Sequence, residues 1–230
     1  GSVNQIVTDM TVGIGTPEAM AAEARERVEK DGFTILKIKA GINPSEDIQA
    51  LTLIRQAVGP NIRLRVDANQ GYTVSDAVLT QTRLKAFEEL GVEAVEQCLP
   101  SWDLDGMRFV RSKVDLKVML DESIHTPIDA AKACKIDAAD IINIKLMKCT
   151  GMREAWKMVT LARALDMKVM VGCMTETSCA ITAASQFSPA VDFADLDGSL
   201  LIANDRFKGM EVVKGKITLP DLPGIGVVKL

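Results

Sequence analysis

Aromatic residues make up only 4% of this 230-residue chain. Its core must therefore be aliphatic and Met-rich, which suits layered Val, Ile, Leu and Met packing in a barrel better than an aromatic-anchored sandwich. Excess basic charge is missing too, since 27 Lys and Arg stand against 31 Asp and Glu for a net charge of −4. A nucleic-acid surface needs a basic field, so nucleic acid is not an expected partner. No apolar run approaches the length of a membrane span, and no membrane partner is expected. Histidine is represented by His125 alone, which excludes His-rich metal centres. It lies just past Asp121, where it either touches a substrate or is a plain surface residue. The five cysteines (Cys98, Cys134, Cys149, Cys173, Cys179) are odd in number and lack CxxC spacing. Neither a disulfide framework nor a zinc site is expected, and free thiols in a reducing cytoplasm are the reading. No secretory-signal pattern opens the residues given, which agrees with a cytoplasmic location, and Gly1-Ser2 reads as an expression scar.

What the chain does contain is regular alternation. Strand-like segments at Thr8–Ile14, 33–39, 62–67, 92–96, 117–121, 141–145, 168–172 and 191–195 alternate with helix-like segments. The helices are expected at 17–29, 44–58, about 74–90, 103–113, 127–135, 151–166 and 178–186. Pro17, Pro44 and Pro127 sit where a first helical turn tolerates proline, and Gly91 is a stop signal. Short connections between alternating elements imply parallel strands with right-handed crossovers. The fold class is thus α/β, a TIM-type barrel of modified (β/α)7β form spanning 3–204, with its site at the carboxyl ends of the strands. A doubly wound open sheet is the alternative. It ranks below because Gly13-Ile14-Gly15, after the first strand, lacks the third glycine of a phosphate loop. Residues 205–230 break the pattern and read as a hairpin with an extended tail.

Six apolar runs close on charge, in the order Lys39, Asp67, Glu96, Asp121, Lys145 and Asp195, with Asp197 two residues on. Parallel strands would bring these groups to one mouth. Carboxylates from three neighbouring strands (Asp67, Glu96, Asp121) repel one another, and a hard divalent cation such as Mg²⁺ removes that repulsion through all-oxygen ligation. Capping a helix or pairing with a lysine is the other use of any single one. Lys37 and Lys39 share a strand face. Like charge and a nearby metal would lower their pKa values, and a lysine tuned towards neutrality is a competent base. Lys145 lies across the barrel, so the two sides could reach opposite faces of one carbon. The alternative is that these lysines pair with acids at the rim.

These motifs carry a resemblance. Lys37-Ile38-Lys39, Asp67-Ala68-Asn69-Gln70, Val95-Glu96-Gln97, Asp121-Glu122-Ser123 and Asn143-Ile144-Lys145-Leu146-Met147-Lys148 together resemble the enolase superfamily, specifically its muconate-lactonizing subgroup. Such sites join a lysine or histidine base to Mg²⁺. The resemblance implies metal binding by Asp67, Glu96 and Asp121, a base at Lys39 supported by Lys37, and an opposed Lys145, with Lys148 structural. Asp195-Leu196-Asp197-Gly198 is similar to the aspartate pair by which the subgroup's dipeptide epimerases, of the L-Ala-D/L-Glu kind, hold a substrate ammonium. A turn is the alternative use of those residues. The chain departs from the pattern at Cys98, where many members have proline, and at Cys149-Thr150-Gly151. It also departs in having no N-terminal capping domain, which the 205–230 tail would contact.

The implied function is an isomerase: Mg²⁺-dependent epimerisation of dipeptides by two-lysine 1,1-proton transfer through an enolate. One alternative is o-succinylbenzoate synthesis or cycloisomerisation within the subgroup. Another is a metal-binding barrel with little activity without its cap, because water entering the mouth weakens every electrostatic interaction there. The expected partner is a small dipeptide, and a homo-oligomer is left open.

Overall fold

The computed structural model describes residues 6–73 and 77–230, with side chains in the second stretch described from residue 80. A short β1 (Ile6–Val7) stands outside the main sheet. Eight strands follow in one parallel sheet whose spatial order is their chain order. They are β2 (Met10–Val12), β3 (Ile35–Lys39), β4 (Arg63–Asp67), β5 (Val92–Glu96), β6 (Lys117–Leu120), β7 (Ile141–Lys145), β8 (Lys168–Gly172) and β9 (Phe193–Ala194). Between them run α1 (Pro17–Glu29), α2 (Pro44–Val58), α3 (Ala77–Glu89), α4 (Leu104–Arg111), α5 (Pro127–Lys135), α6 (Met152–Ala164) and α7 (Ser178–Ser185). This is the (β/α)7β order that alternation implied. The expected start of α3 at Val74 lies outside the described residues.

The helices begin where their caps dictate. Thr126 and Asp129 form a reciprocal capping box before Pro127, and Asp103 accepts from the Gly106 amide at 2.8 Å, each satisfying orphan donors of a first turn. The main core lies between the sheet and this helical ring. A second, smaller layer of Ala94, Met119, Ile141 and Met170, with Phe193 packed against it, fills the inside of the sheet. Residues two apart on a strand share a face. Ala94 therefore leads to Glu96, Met119 to Asp121 and Ile141 to Asn143 and Lys145, so an apolar floor supports a polar mouth.

Strand one is shorter than the expected Thr8–Ile14, because Thr8 and Asp9 turn their bonding to the far edge of the sheet. Thr8 pairs with Ala194 in parallel, Asp9 N donates to Ala194 O at 3.3 Å, and Leu196 N donates to Thr8 Oγ1 at 2.7 Å. These bonds join β2 to β9. Residues 205–230 fold back on this same chain. β11 (Glu211–Val213) and β12 (Lys216–Thr218) form a hairpin whose β12 pairs with β1. β10 (Phe207–Lys208) pairs with β13 (Val228–Lys229). At the hairpin tip, Gly215 (φ +74°) passes its carbonyl to Thr8 N at 2.9 Å. The positive φ suits glycine there.

The seam supplies a test. Thr8→Val keeps the shape but leaves the Leu196 amide without its acceptor, so stability should fall by about 1–3 kcal/mol. Urea unfolding should show a lower midpoint with an unchanged slope.

Candidate active site at the carboxyl ends of the strands

Lys37, Lys39, Asp121, Lys145 and Asp197 come to one mouth, while Asp67, Glu96 and Asp195 lie buried outside its lining. Thr11, Lys37, Lys39, Asn69, Asp121, Glu122, Lys145, Cys173, Met174, Thr175, Asp197 and Leu201 line a mouth cavity of about 270 Å³. In the order of strands, β3 and β7 are half a circuit apart, so Lys39 and Lys145 face each other across it. Asp67, Glu96 and Asp121 close the three strands between them, with Asp67 and Glu96 directly paired in register. His125 is exposed and takes no part in this lining.

Each acid of the trio has a distinct partner. Asp67 accepts from Lys39 Nζ at 2.6 Å, and Lys39 also donates to Asn69 Oδ1 at 2.8 Å. Asp121 accepts from Lys145 Nζ at 2.8 Å and from Lys148 Nζ. Lys148 also reaches the carbonyl of Asn143 at 3.2 Å, so it fixes Asp121 from behind the cavity, the structural role expected of it. Glu96 accepts an amide proton from Asn143 Nδ2 at 2.6 Å. Gly172 makes room for that asparagine: a Cβ there would lie 2.4 Å from Asn143 Oδ1. Gln97 Oε1 accepts from the amides of Asp121 and Ser123 at 2.9 and 3.2 Å, tying the end of β5 to the end of β6. Asn69, Gln70 and Gln97 all hold left-handed φ values just past these strands, a backbone cost that clusters at functional mouths.

The electrostatics follow from this pairing. Burial, then the charges of Asp67 and Asp121, push the Glu96 carboxyl up to about 8. Asp121 is also raised by burial, but Lys148 and Lys145 outweigh it and hold the group at about 2. The depression expected at Lys37 is not what the structure shows. Burial alone would lower Lys37 and Lys145, yet the nearby acids win and both are raised, Lys37 chiefly by Asp195 and Lys145 chiefly by Asp121. The lysine–lysine repulsion considered from sequence is outweighed because carboxylates dominate the mouth.

Asp195 and Asp197 differ in position. Asp197 lines the cavity and accepts from Thr11 N at 2.7 Å. Asp195 lies beneath it, fully buried, accepting from Lys37 Nζ. Gly198 follows at the start of a short 3-10 segment (Gly198–Leu201), and a Cβ there would meet the Met174 carbonyl at 2.2 Å. The turn reading and the cavity-facing carboxylate therefore coexist.

Among the described residues, three candidate ligand atoms come within 4.8 Å of one another at Cys173, Asp195 and Asp197, and not at the Asp67–Glu96–Asp121 trio. The trio's carboxylates are drawn to their own lysine and asparagine partners. Donor chemistry nevertheless separates the two sets. Burial, then Asp195, raises the Cys173 thiol, and a protonated thiol is a poor ligand for a hard cation. The trio is all oxygen, and its mutual repulsion at Glu96 is what a divalent cation offsets, so it fits Mg²⁺.

Asn69, Glu122, Asn143, Gln97 and Thr11 join the site beyond the charged strand ends. Asn143 carried a sequence signal, being polar and two residues before Lys145 on one face.

Raised in the folded state from an ordinary value near 4.5, Glu96 takes up a proton on folding between pH 4.5 and about 8. Its contribution to stability is therefore fullest below pH 4.5 and declines as pH rises to about 8. In chelator-containing buffer, urea unfolding across that range should show this decline in the wild type. Glu96→Gln should remove it.

Comparison with known proteins places this geometry in context. Residues 19–228 match the family model for enolase C-terminal domain-like proteins. An L-Ala-D/L-Glu epimerase of Bacteroides thetaiotaomicron is 54% identical over 97% of this chain and 56% of its own length. A substrate-liganded L-Ala-D/L-Glu epimerase from Bacillus subtilis superimposes with a TM-score of 0.92 at 39% identity, covering 98% of this chain and 64% of that one. A dipeptide epimerase from Cytophaga hutchinsonii, complexed with Mg and the dipeptide D-Ala-L-Val, gives a TM-score of 0.93 at 31% identity, covering 100% and 63%. The chain thus spans between about half and two thirds of the length of these relatives. With the parallel barrel, the strand-end acids and the opposed lysines all in place, the chain belongs to the enolase C-terminal domain-like family.

Proposed function

We propose that this chain is the catalytic barrel of a Mg²⁺-dependent dipeptide epimerase, an isomerase of amino acid derivatives. The observation that carries the reading is the placement of Lys39 and Lys145 on opposite walls of one cavity, with three buried carboxylates ending the strands between them. On this reading Asp67, Glu96 and Asp121 hold the cation. Bound there, it would polarise a substrate carbonyl oxygen and offset the acid charge that raises Lys145.

The remaining roles fall to the chain's own side chains. Lys39 removes the α-proton at one face of the substrate, and Lys145 returns a proton at the other. Lys37, bound to Asp195, sits below Lys39 and keeps a positive charge beneath the developing enolate. Asp197 faces the cavity from the side opposite β5, where an N-terminal ammonium would need an anion. Asp195, directly behind it, adds a second negative charge to that side. A capping domain of the kind these proteins carry would cover the mouth, exclude water and add specificity contacts.

The similarity to proteins named L-Ala-D/L-Glu epimerase and dipeptide epimerase supports the substrate class. The other reactions of the subgroup use the same metal and lysines but have no amine to bind, so Asp197 separates them. The third possibility, metal binding with little turnover, is separated by comparing this chain alone with the chain joined to a capping domain. Wild-type-like turnover by the chain alone would reject that possibility.

In heavy water the enzyme should incorporate deuterium at one α-carbon of a dipeptide. For Lys145→Ala, exchange should persist from one epimer only while epimerisation stops. Full epimerisation by this variant would refute the two-base scheme.

Asp197→Ala should lower kcat/KM for dipeptides by about tenfold or more, the expectation when a charged partner is removed from a buried cation. Unchanged dipeptide turnover would instead favour a substrate without an ammonium group.

A further inference from the structure

One buried acid has no part in the mechanism above. Asp9 lies just before β2 and is fully buried. Its Oδ2 accepts from Arg65 Nη1 at 2.8 Å. On its other side is Asp195, its neighbour across the seam where Thr8 pairs with Ala194 and Asp9 N donates to Ala194 O. Asp195 in turn accepts from Lys37 Nζ at the base of the cavity. Arg65 also reaches an acid it shares with Arg63: its Nε donates to Glu93 Oε1 at 2.6 Å, while its guanidinium lies 4.9 Å from the centre of the Phe193 ring.

Arg65 and Lys37 thus face the buried pair Asp9 and Asp195 from its two sides, while Glu93 also accepts from Arg63 Nε at 2.8 Å. Asp9 Oδ1 and Asp195 Oδ1 are both buried, and neither has a donor among the protein's other groups. Two ionised carboxylates cannot hydrogen-bond each other. One proton between them gives each orphaned oxygen a partner and removes the repulsion of two adjacent buried carboxylates. Asp9 is the better home for it. Burial, then the charge of Asp195, raises Asp9, whereas Lys37 outweighs burial at Asp195 and holds that group down.

We propose that Asp9 is a protonated positioning residue that donates its proton to Asp195, so that Asp195 presents one fixed charge to Lys37 beneath the cavity. The bond runs from the Asp9 carboxyl O–H to an Asp195 oxygen, and no proton leaves the pair. Arg65 orients Asp9 from the far side, and Asp195 stays in place below Asp197. The kinetic consequence rests on the function proposed above. The protonation state does not.

Two variants and one spectrum test this. Asp9→Asn keeps both bonds, since its amide N–H donates to Asp195 and its carbonyl accepts from Arg65. Asp9→Leu keeps the volume and loses both. At neutral pH the wild type should show an infrared C=O band of a protonated carboxyl that shifts on aspartate-selective ¹³C labelling, which separates it from Glu96, and that vanishes in Asp9→Asn. For dipeptide turnover, Asp9→Asn should stay within about threefold of the wild type, and Asp9→Leu should lose about tenfold or more, in kcat rather than KM. The proposal is overturned if the wild type lacks the band, if Asp9→Asn retains it, or if Asp9→Asn is as impaired as Asp9→Leu. Should Asp9→Leu fail to fold, the band and Asp9→Asn decide. Should the wild type turn over no dipeptide, the proposed function falls and the band still decides the protonation state.

Discussion

Charge inside a barrel must be balanced locally, and this constraint organises the structure. Water cannot reach the interior to solvate a lone ion, so most of the buried charges have a counter-charge close by. Lys37 has Asp195, Lys39 has Asp67, and Asp121 has Lys145 and Lys148. Arg65 bridges Asp9 and Glu93. Glu96 is different, because its hydrogen-bond partner is the neutral amide of Asn143. It is also the acid of the trio that its surroundings push up to about 8. The imbalance sits at the middle strand of the three, where a divalent cation has most to offset.

This balance gives the mouth four sides. Lys39 and Lys145 occupy two opposite walls, and the acids of β4 to β6 lie between them on one side. Asp197 and Thr11 lie between them on the other. A substrate with a polarisable oxygen at one end and a cation at the other would be held along one axis, with its reactive carbon between the lysines. Each position follows from strand order and the two-residue repeat of side-chain direction, with no contribution from helices beyond closing the ring.

Much of this was legible in the sequence. Alternating elements, proline and glycine punctuation and charged strand ends were enough for the barrel, and β5, β7 and β8 have the expected bounds. The edge strands were harder. β2 is shortened because Thr8 and Asp9 bond across to β9, a long-range choice that local alternation does not encode. The hairpin at 211–218 was visible, but its pairing with β1 was not, because β1 is two residues long. At the site, residue identity was legible while ionisation was not. Lys37 was expected to be lowered by Lys39 and a nearby metal, yet its pKa depends on how many acids stand around it, which only the folded arrangement fixes. Likewise Asp195 and Asp197 read as an equivalent pair, and the structure puts one beneath the other. Arg65 and Asp9 carried a parity signal, lying two residues before Asp67 and Thr11 on their faces, but nothing in sequence pairs them.

The seam between β2 and β9 differs in strength from the rest of the barrel. Elsewhere neighbouring strands are joined by two to five residue pairs each, while β9 meets the opening segment by a single bridge at Thr8. Thr11 and Asp197 straddle that seam. Local breathing would part them first and leave β4 to β6 and both facing lysines in register. The wall formed by Thr11 and Asp197 is thus the compliant one. Changes there can reshape that side of the mouth while the five strands from Lys39 to Lys145 keep their register.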